Sequence, residues 1–176
     1  MRDFFKIKNR KPRMALIWPW GFNADRVLPL ALAYLVGNID KEKYDIKIFD
    51  NSLDDRKASN ADFAKELHDF DPDVVGVSGW THTFFEMRDI IKVARKQCPE
   101  AVVLAGGVYA TAYSVKALEN LSPDFVIMGE AEKSFPQFLH ELFNTENPDW
   151  SSVAGLVYKD VTGTLIKNKV DYIEDL

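Results

Sequence analysis

The sequence predicts an α/β fold: a five-stranded, doubly wound parallel sheet of the Rossmann or flavodoxin-like type, with a C-terminal β-hairpin. Three observations lead to this prediction. Short apolar runs alternate with segments of helical periodicity, which is typical of βαβ units. The runs are almost continuously apolar, as in strands that helices cover on both faces. Glycine stands just beyond several of the runs, where a strand turns sharply into a helix.

Each apolar run predicts one strand of the parallel sheet. The five strands are Met14–Trp18, Tyr44–Phe49, Val74–Ser78, Ala101–Ala105 and Phe125–Met128.

Helices are predicted in the segments between the strands, because their apolar residues recur every three or four positions. The first follows from the spacing of Leu28, Leu32, Leu35 and Ile39. The others are predicted at Ala61–Phe70, Phe84–Ala94, Thr111–Asn120 and Phe135–Leu142. Thr111 is the expected N-cap of the fourth helix, since threonine accepts hydrogen bonds at helix starts.

The composition changes after Asn144 to a turn-rich linker. The segments Val153–Tyr158 and Thr164–Lys167 then flank a glycine-containing loop and predict the β-hairpin. The expected organisation is an N-terminal arm at 1–13, an α/β domain at 14–144, and a linker and hairpin at 145–176 that lead toward a further, catalytic part.

Composition narrows the classes of function. The net charge of −5 argues against a nucleic-acid or anionic-membrane partner. Cys98 is the single cysteine, so the chain alone cannot form a disulfide or hold an iron–sulfur cluster. Neither a bilayer-spanning apolar run nor a signal peptide is apparent in the sequence, and the expected location is the cytoplasm.

Ligands of open parallel sheets bind beyond the carboxyl ends of the strands, so the residues that follow each strand are the informative ones. Three known uses of the fold do not fit these residues. A phosphoryl receiver needs acidic residues and a lysine where the chain has Pro19, Ser78 and Gly129. The loop after the first strand lacks the phosphate-binding residues of a flavodoxin, and no Gly-x-Gly-x-x-Gly sequence follows any strand.

Five segments taken in order resemble the cobalamin-binding domain that precedes the radical S-adenosylmethionine core in class B radical methylases and related cyclases. The segments are Leu30-Ala-Leu-Ala-Tyr-Leu35, Asp71-Pro-Asp-Val-Val-Gly-Val-Ser78, Val103-Leu-Ala-Gly-Gly107 with Thr111, Asp124-Phe-Val-Ile-Met-Gly-Glu-Ala-Glu132 and Val153-Ala-Gly-Leu-Val-Tyr158. The resemblance extends from about Leu28 to Lys167.

The resemblance implies a set of cofactor-binding residues after the first, third, fourth and fifth strands. They are Trp20, Gly21, Ser78, Gly79, Trp80, Thr81, Gly106, Gly107, Val108, Tyr109, Gly129, Glu130 and Glu132. The benzimidazole tail of cobalamin would enter between the strand ends, with the two consecutive glycines as its floor. No catalytic residue and no protein ligand to a metal are implied.

The chain departs from family patterns at three places. Tyr109 replaces a frequent histidine, and Ser114 replaces a frequent proline. The Asp-x-His-x-x-Gly motif, which supplies a histidine to cobalt in mutases and methionine synthase, is absent. The resemblance therefore implies base-off cobalamin without a histidine ligand, with His82 as the alternative to be tested.

The expected function is a cobalamin-binding module of a radical S-adenosylmethionine enzyme, most simply a methyltransferase. The iron–sulfur cluster and S-adenosylmethionine would be held by a catalytic core outside this chain, so the chain alone is expected to be inactive. Two alternatives stay open: an α/β interaction or sensor module without cofactor, and a cobalamin-dependent cyclase or rearrangement enzyme.

Overall fold

The structure, a computed structural model, describes residues 10–21 and 29–171. Within these ranges the chain forms one sheet of seven strands and six α-helices. The strands are β1 Arg13–Trp18, β2 Asp45–Asp50, β3 Val74–Ser78, β4 Val102–Gly106, β5 Phe125–Ile127, β6 Leu156–Lys159 and β7 Leu165–Lys167. The helices are α1 Leu30–Gly37, α2 Ala61–Phe70, α3 Phe84–Gln97, α4 Gly107–Ala112, α5 Ser114–Leu121 and α6 Ser134–Asn144.

The strand order is β2-β1-β3-β4-β5-β6-β7. The first five strands in the chain pair in parallel, which confirms the predicted sheet, with strand ends within one residue of the expected ones. The predicted hairpin is also confirmed, and it extends the same sheet. Its strand β6 pairs antiparallel with β5, with Val157 opposite Val126.

Side chains alternate between the two faces of the sheet and build a core on each. On β4, Val103 and Ala105 join the core that α2, α3 and α5 cover. Val102 and Leu104 join the opposite core, which α1 and α6 cover. By the same alternation, Gly106 lies on the face of α1 and α6.

Two helices end at the same kind of signal. The last residue before the proline adopts a left-handed conformation, at Asp71 (φ 48°) before Pro72 and at Ser122 (φ 57°) before Pro123. Proline cannot continue a helix, and the turn leads directly into the next strand. The predicted end of the second helix is therefore confirmed.

The predicted fourth helix is wrong in its start and in its continuity. The helix begins at Gly107, four residues earlier, and a break at Tyr113 separates α4 from α5. Gly107 has a φ of +83°, which lets the chain turn sharply from β4 into α4. Thr111 consequently lies inside α4 and is not an N-cap.

Some sequence predictions fall outside the described residues. These are the N-terminal arm up to residue 9, Leu28 of the predicted first helix, and positions 172–176. Among the described helices, none combines the length and the apolar composition that crossing a membrane requires.

Candidate functional site

The direction of the chain reverses between β1 and β3. From β1 the chain proceeds to β2 on one side, whereas from β3 it proceeds to β4 on the other, and β1 and β3 are neighbours. The chain therefore continues from these two strands toward opposite sides of the sheet, and the crevice at such a switch point is where ligands of doubly wound sheets bind. Ser78 ends β3 at this edge and Gly106 ends β4 beside it, paired in register.

The loops after β3 and β4 are joined by backbone hydrogen bonds. The N–H of Gly79 donates to the carbonyl of Gly106 (3.4 Å), and the N–H of Tyr109 donates to the carbonyl of Gly79 (3.1 Å). A Cβ atom on Gly107 would lie 2.7 Å from Ser78 Oγ and 2.8 Å from the backbone of Gly79. Glycine at position 107 is thus required by the packing of these two loops against each other.

Two further glycines at this edge are required by the protein itself. A Cβ atom on Gly79 would lie 2.6 Å from Thr83 Oγ1 at the start of the following helix. A Cβ atom on Gly129 would lie 2.8 Å from Val170 Cγ1, and the φ of Gly129 is +76°. These contacts explain the two glycines without a ligand.

Gly106 has no such explanation. Its φ of −142° is extended backbone that any residue adopts, and among the described residues an added Cβ atom would meet only the carbonyl of Ile127, at 3.9 Å. Ser78, its register partner, is also small. With respect to the described residues, the missing side chain at Gly106 leaves room for a ligand on the face of the sheet that α1 and α6 cover.

The loop after β1 contacts the loop after β2. Trp20 donates from Nε1 to Asp55 Oδ1 (2.7 Å), and Lys57 Nζ lies 4.6 Å from the centre of the Trp20 ring. Gly21 has a φ of +125°, and a Cβ atom there would lie 3.2 Å from Thr83 Cγ2. The two predicted residues therefore lie at the carboxyl edge, with Trp20 held on the side of β2.

The other predicted residues in the loops after β3 and β4 fall into two groups. The side chains of the first group are exposed at the carboxyl edge: Thr81, Trp80 (47% exposed) and Val108 (52% exposed). Tyr109 is only 7% exposed, and its ring packs in the core 5.1 Å from the ring of Phe84. The structure therefore does not bring the Tyr109 ring to the crevice, because α4 turns that side chain toward α3.

The two acidic residues after β5 differ in their surroundings. Glu130 is exposed, whereas Glu132 Oε2 is buried without a hydrogen-bond partner in the described part of the chain. A buried acceptor without a donor is costly. Glu132 is therefore a better candidate than Glu130 for accepting a hydrogen bond from a ligand.

Sequence patterns did not indicate the residues that position Trp20 and Trp80. Asp55 and Lys57 are far from Trp20 in the chain and meet it only through the fold. Thr83 is buried, and its hydroxyl accepts a hydrogen bond from the Trp80 N–H (3.0 Å). The local signal for this turn is the threonine at position 83, because a threonine hydroxyl can bond to a backbone N–H three residues earlier.

Comparison with known protein families shows to which family the chain belongs. The family described as B12 binding domain matches residues 24–139. The chain belongs to this family. The matched range contains every candidate residue that follows β3, β4 or β5. The candidates Trp20 and Gly21 lie before the start of the matched range.

Two curated relatives of the B12-binding domain are named as methyltransferases. An uncharacterized methyltransferase of Pyrococcus horikoshii is 31% identical over 134 residues, which cover 75% of this chain and 28% of the relative. The cytidylyl-2-hydroxyethylphosphonate methyltransferase of Streptomyces wedmorensis is 28% identical over 165 residues, which cover 84% of this chain and 30% of the relative. The chain thus spans less than a third of the length of either relative.

A solved structure confirms the fold of the B12-binding domain. The radical S-adenosylmethionine methyltransferase TsrM from Kitasatospora setae, solved with cobalamin and a [4Fe-4S] cluster bound, superposes with a TM-score of 0.74 at 18% identity. The match covers 95% of this chain and 30% of TsrM. The same fold therefore occurs as one part of a larger radical enzyme.

Proposed function

We propose that this B12-binding domain binds cobalamin at the carboxyl edge of its sheet, as the cofactor module of a radical S-adenosylmethionine methyltransferase. The observation that carries the proposal is the open space beside Gly106. The other edge glycines are explained by contacts within the protein, and this one is not. Open space at the end of a central strand fits a ligand that must insert between the loops.

The chain would supply binding and orientation from the loops that follow four strands. In the loop after β3, the cofactor would be contacted by Ser78, Gly79, Trp80 and Thr81. Gly106, Gly107 and Val108 would contact it after β4, with Tyr109 contributing through its backbone. Gly129, Glu130 and Glu132 would contact it after β5, and Trp20 and Gly21 after β1. Cobalamin, when bound, would supply the methyl-transfer chemistry, while the residues of this chain would hold and orient it.

The cobalamin would be bound in the base-off form without a histidine on cobalt. The Asp-x-His-x-x-Gly motif is absent from the sequence, and β1 is followed by Pro19-Trp20-Gly21. His82 is exposed in the short turn Thr81–Thr83, after a different strand from the one that carries that motif. The neighbourhood of β1 therefore offers no imidazole among the described residues.

The radical chemistry would take place in a separate part of the enzyme, the radical S-adenosylmethionine core. Cys98 is the single cysteine of the chain, and its thiol is buried and donates to the carbonyl of Leu67. An iron–sulfur cluster needs several thiolates. The cluster and S-adenosylmethionine would accordingly be held outside this chain.

The test is a spectroscopic titration of the chain with hydroxocobalamin. The wild type is expected to bind in the base-off form and to stay red after dialysis. Gly106→Leu should lose binding because its side chain fills the open space, while its unfolding temperature stays within a few degrees of wild type. Gly37→Leu is the matched control, since Gly37 also has open space around it but lies at the far end of α1.

Two results would reject the proposal. One is a wild-type chain that takes up no corrinoid, which favours the alternative of an interaction or sensor module. The other is a folded Gly106→Leu variant that binds as tightly as the wild type and the Gly37→Leu control.

A further inference from the structure

The hydroxyl of Thr111 links two loops of the crevice. It donates a hydrogen bond to the carbonyl of Gly107 (3.0 Å), one turn earlier in α4. It also accepts a hydrogen bond from the N–H of Gly129 (2.9 Å), in the loop after β5. The Thr111 hydroxyl thus connects the loop after β4 to the loop after β5, because it donates its proton to one loop and accepts a hydrogen bond from the other.

Both glycines that Thr111 contacts have positive φ angles, +83° at Gly107 and +76° at Gly129. Such a backbone is accessible to glycine at little cost, but glycine also leaves it many other conformations. A hydrogen bond to each glycine therefore selects one arrangement of the two loops. Val170 packs against Gly129, because a Cβ atom on Gly129 would lie only 2.8 Å from Val170 Cγ1.

Exposure determines when this link matters most. Thr111 is exposed, so water can replace its hydrogen bonds in the free protein and its net contribution to folding is small. A ligand that covers the carboxyl edge excludes that water. The N–H of Gly129 would then lose its acceptor if the hydroxyl were missing, and the carbonyl of Gly107, which lies inside α4, would lose its side-chain donor.

We infer that Thr111 is a positioning residue of the cofactor site, which acts through Gly107 and Gly129 and sets the separation of the loops after β4 and β5. The inference rests on the proposed binding of cobalamin at this edge. It assigns to Thr111 a role in affinity, beyond its place inside a helix.

The experiment compares Thr111→Val, which keeps the shape but removes the hydroxyl, with Thr111→Ser, which restores it. Thr145→Val is the matched control, because Thr145 makes the same bond to the carbonyl four residues earlier (2.6 Å to Glu141), at the opposite end of the sheet. The first measurement is hydrogen exchange of the Gly129 amide without cobalamin. The amide of Met128, bonded to the carbonyl of Gly155, serves as the internal reference.

In Thr111→Val we expect faster exchange at Gly129, unchanged exchange at Met128, and about tenfold weaker binding of hydroxocobalamin, since a lost hydrogen bond of ordinary strength corresponds to that factor. Thr111→Ser should return both measurements to near wild type. Thr145→Val should bind as the wild type does. Equal Gly129 exchange and equal affinity in wild type and Thr111→Val would overturn the inference.

The two proposals fail in different ways. If the wild type binds no cobalamin, the proposed function fails, while the Gly129 exchange data still report whether Thr111 joins the loops. If the wild type binds and Thr111→Val changes the exchange but leaves the affinity unchanged, the link is only structural and the inference is rejected.

Discussion

Asp73 and Asp124 make the same contacts at the starts of two different strands. The carboxylate of Asp73, just before β3, accepts a hydrogen bond from the N–H of Arg13 on β1 (2.8 Å). The carboxylate of Asp124, just before β5, accepts one from the N–H of Val103 on β4 (2.7 Å). Each aspartate therefore fastens its own strand to the neighbouring one at the amino edge of the sheet.

An arginine completes each arrangement. Arg10 Nη1 lies 2.6 Å from Asp73, and Arg95 Nη1 lies 2.8 Å from Asp124. The second guanidinium nitrogen of each arginine donates to the backbone carbonyl of the residue two positions before the aspartate. Both aspartates follow a Pro at a helix end, so the segments Asp71-Pro-Asp73 and Ser122-Pro-Asp124 are equivalent structural devices.

Removing the charge of Asp124 should therefore destabilise the fold. In Asp124→Asn the charge-assisted bonds to Arg95 and to the Val103 N–H are weakened, and we expect a loss of about 1–3 kcal/mol in the free energy of unfolding. Urea denaturation measures it. The control Asp89→Asn breaks only exposed contacts and should change the stability by less than about 0.5 kcal/mol. Equal stability of the two variants would contradict this view of Asp124.

Substitution by alanine should destabilise the protein at Gly107 and change its stability little at the adjacent Gly106. In Gly107→Ala the new Cβ atom meets Ser78 and Gly79 at a positive φ, and we expect a loss of about 2–4 kcal/mol in the free energy of unfolding. In Gly106→Ala the backbone is extended and the space is open, so the stability should stay within about 1 kcal/mol of wild type.

Thermal unfolding of the two variants under identical conditions makes the comparison. A Gly106→Ala variant as unstable as Gly107→Ala would mean that the space beside Gly106 is needed by the protein itself. That result would remove the main support for a ligand there.

The turn between β6 and β7 should be sensitive to acid. The pKa of Asp160 is held below its ordinary value of 3.8, first by the hydrogen bond from the Thr162 hydroxyl and then by backbone N–H groups of the turn. The pKa of Asp160 is lower in the folded than in the unfolded protein. The carboxylate therefore stabilises the turn fully at a pH above the unfolded-state pKa, and this stabilisation is lost as the pH falls through the folded-state pKa.

Amide exchange at Thr162 and Thr164, followed from neutral pH to below pH 3.8, measures this effect. Protection corrected for the intrinsic exchange rate should fall at the acid end of the range. Asp160→Asn keeps an acceptor oxygen but does not titrate, so its protection should not change with pH in this range. A protection factor independent of pH in the wild type would show that the carboxylate does not hold the turn.

Cobalamin binding should not depend on His82. The imidazole is exposed beside Trp80, with the two ring centres 6.1 Å apart, in a turn after β3. We expect His82→Ala to leave the visible spectrum and the affinity of bound hydroxocobalamin unchanged. A histidine-ligated spectrum in the wild type that disappears in His82→Ala would replace the base-off proposal with ligation by this residue.

The sequence by itself determined the strands and the crossover helices, except for the start and the continuity of the predicted fourth helix. The central parallel strands are buried on both faces, so nearly every residue in Val74–Val77 or Val102–Ala105 is apolar and the runs can be recognised without tertiary information. The glycines after the strands are local signals as well. Together with the resemblance, they predicted the carboxyl edge as the site and the candidate residues in its loops.

Only the tertiary structure decided what each of these residues does. Gly107 is a glycine because Gly79 lies against it, whereas no described residue crowds Gly106, and the two are indistinguishable in the sequence. Tyr109 turns into the core, and Thr111 becomes a link to Gly129. These outcomes depend on contacts between separate strands and loops, and hydrophobic periodicity within one segment carries no information about the distance to another.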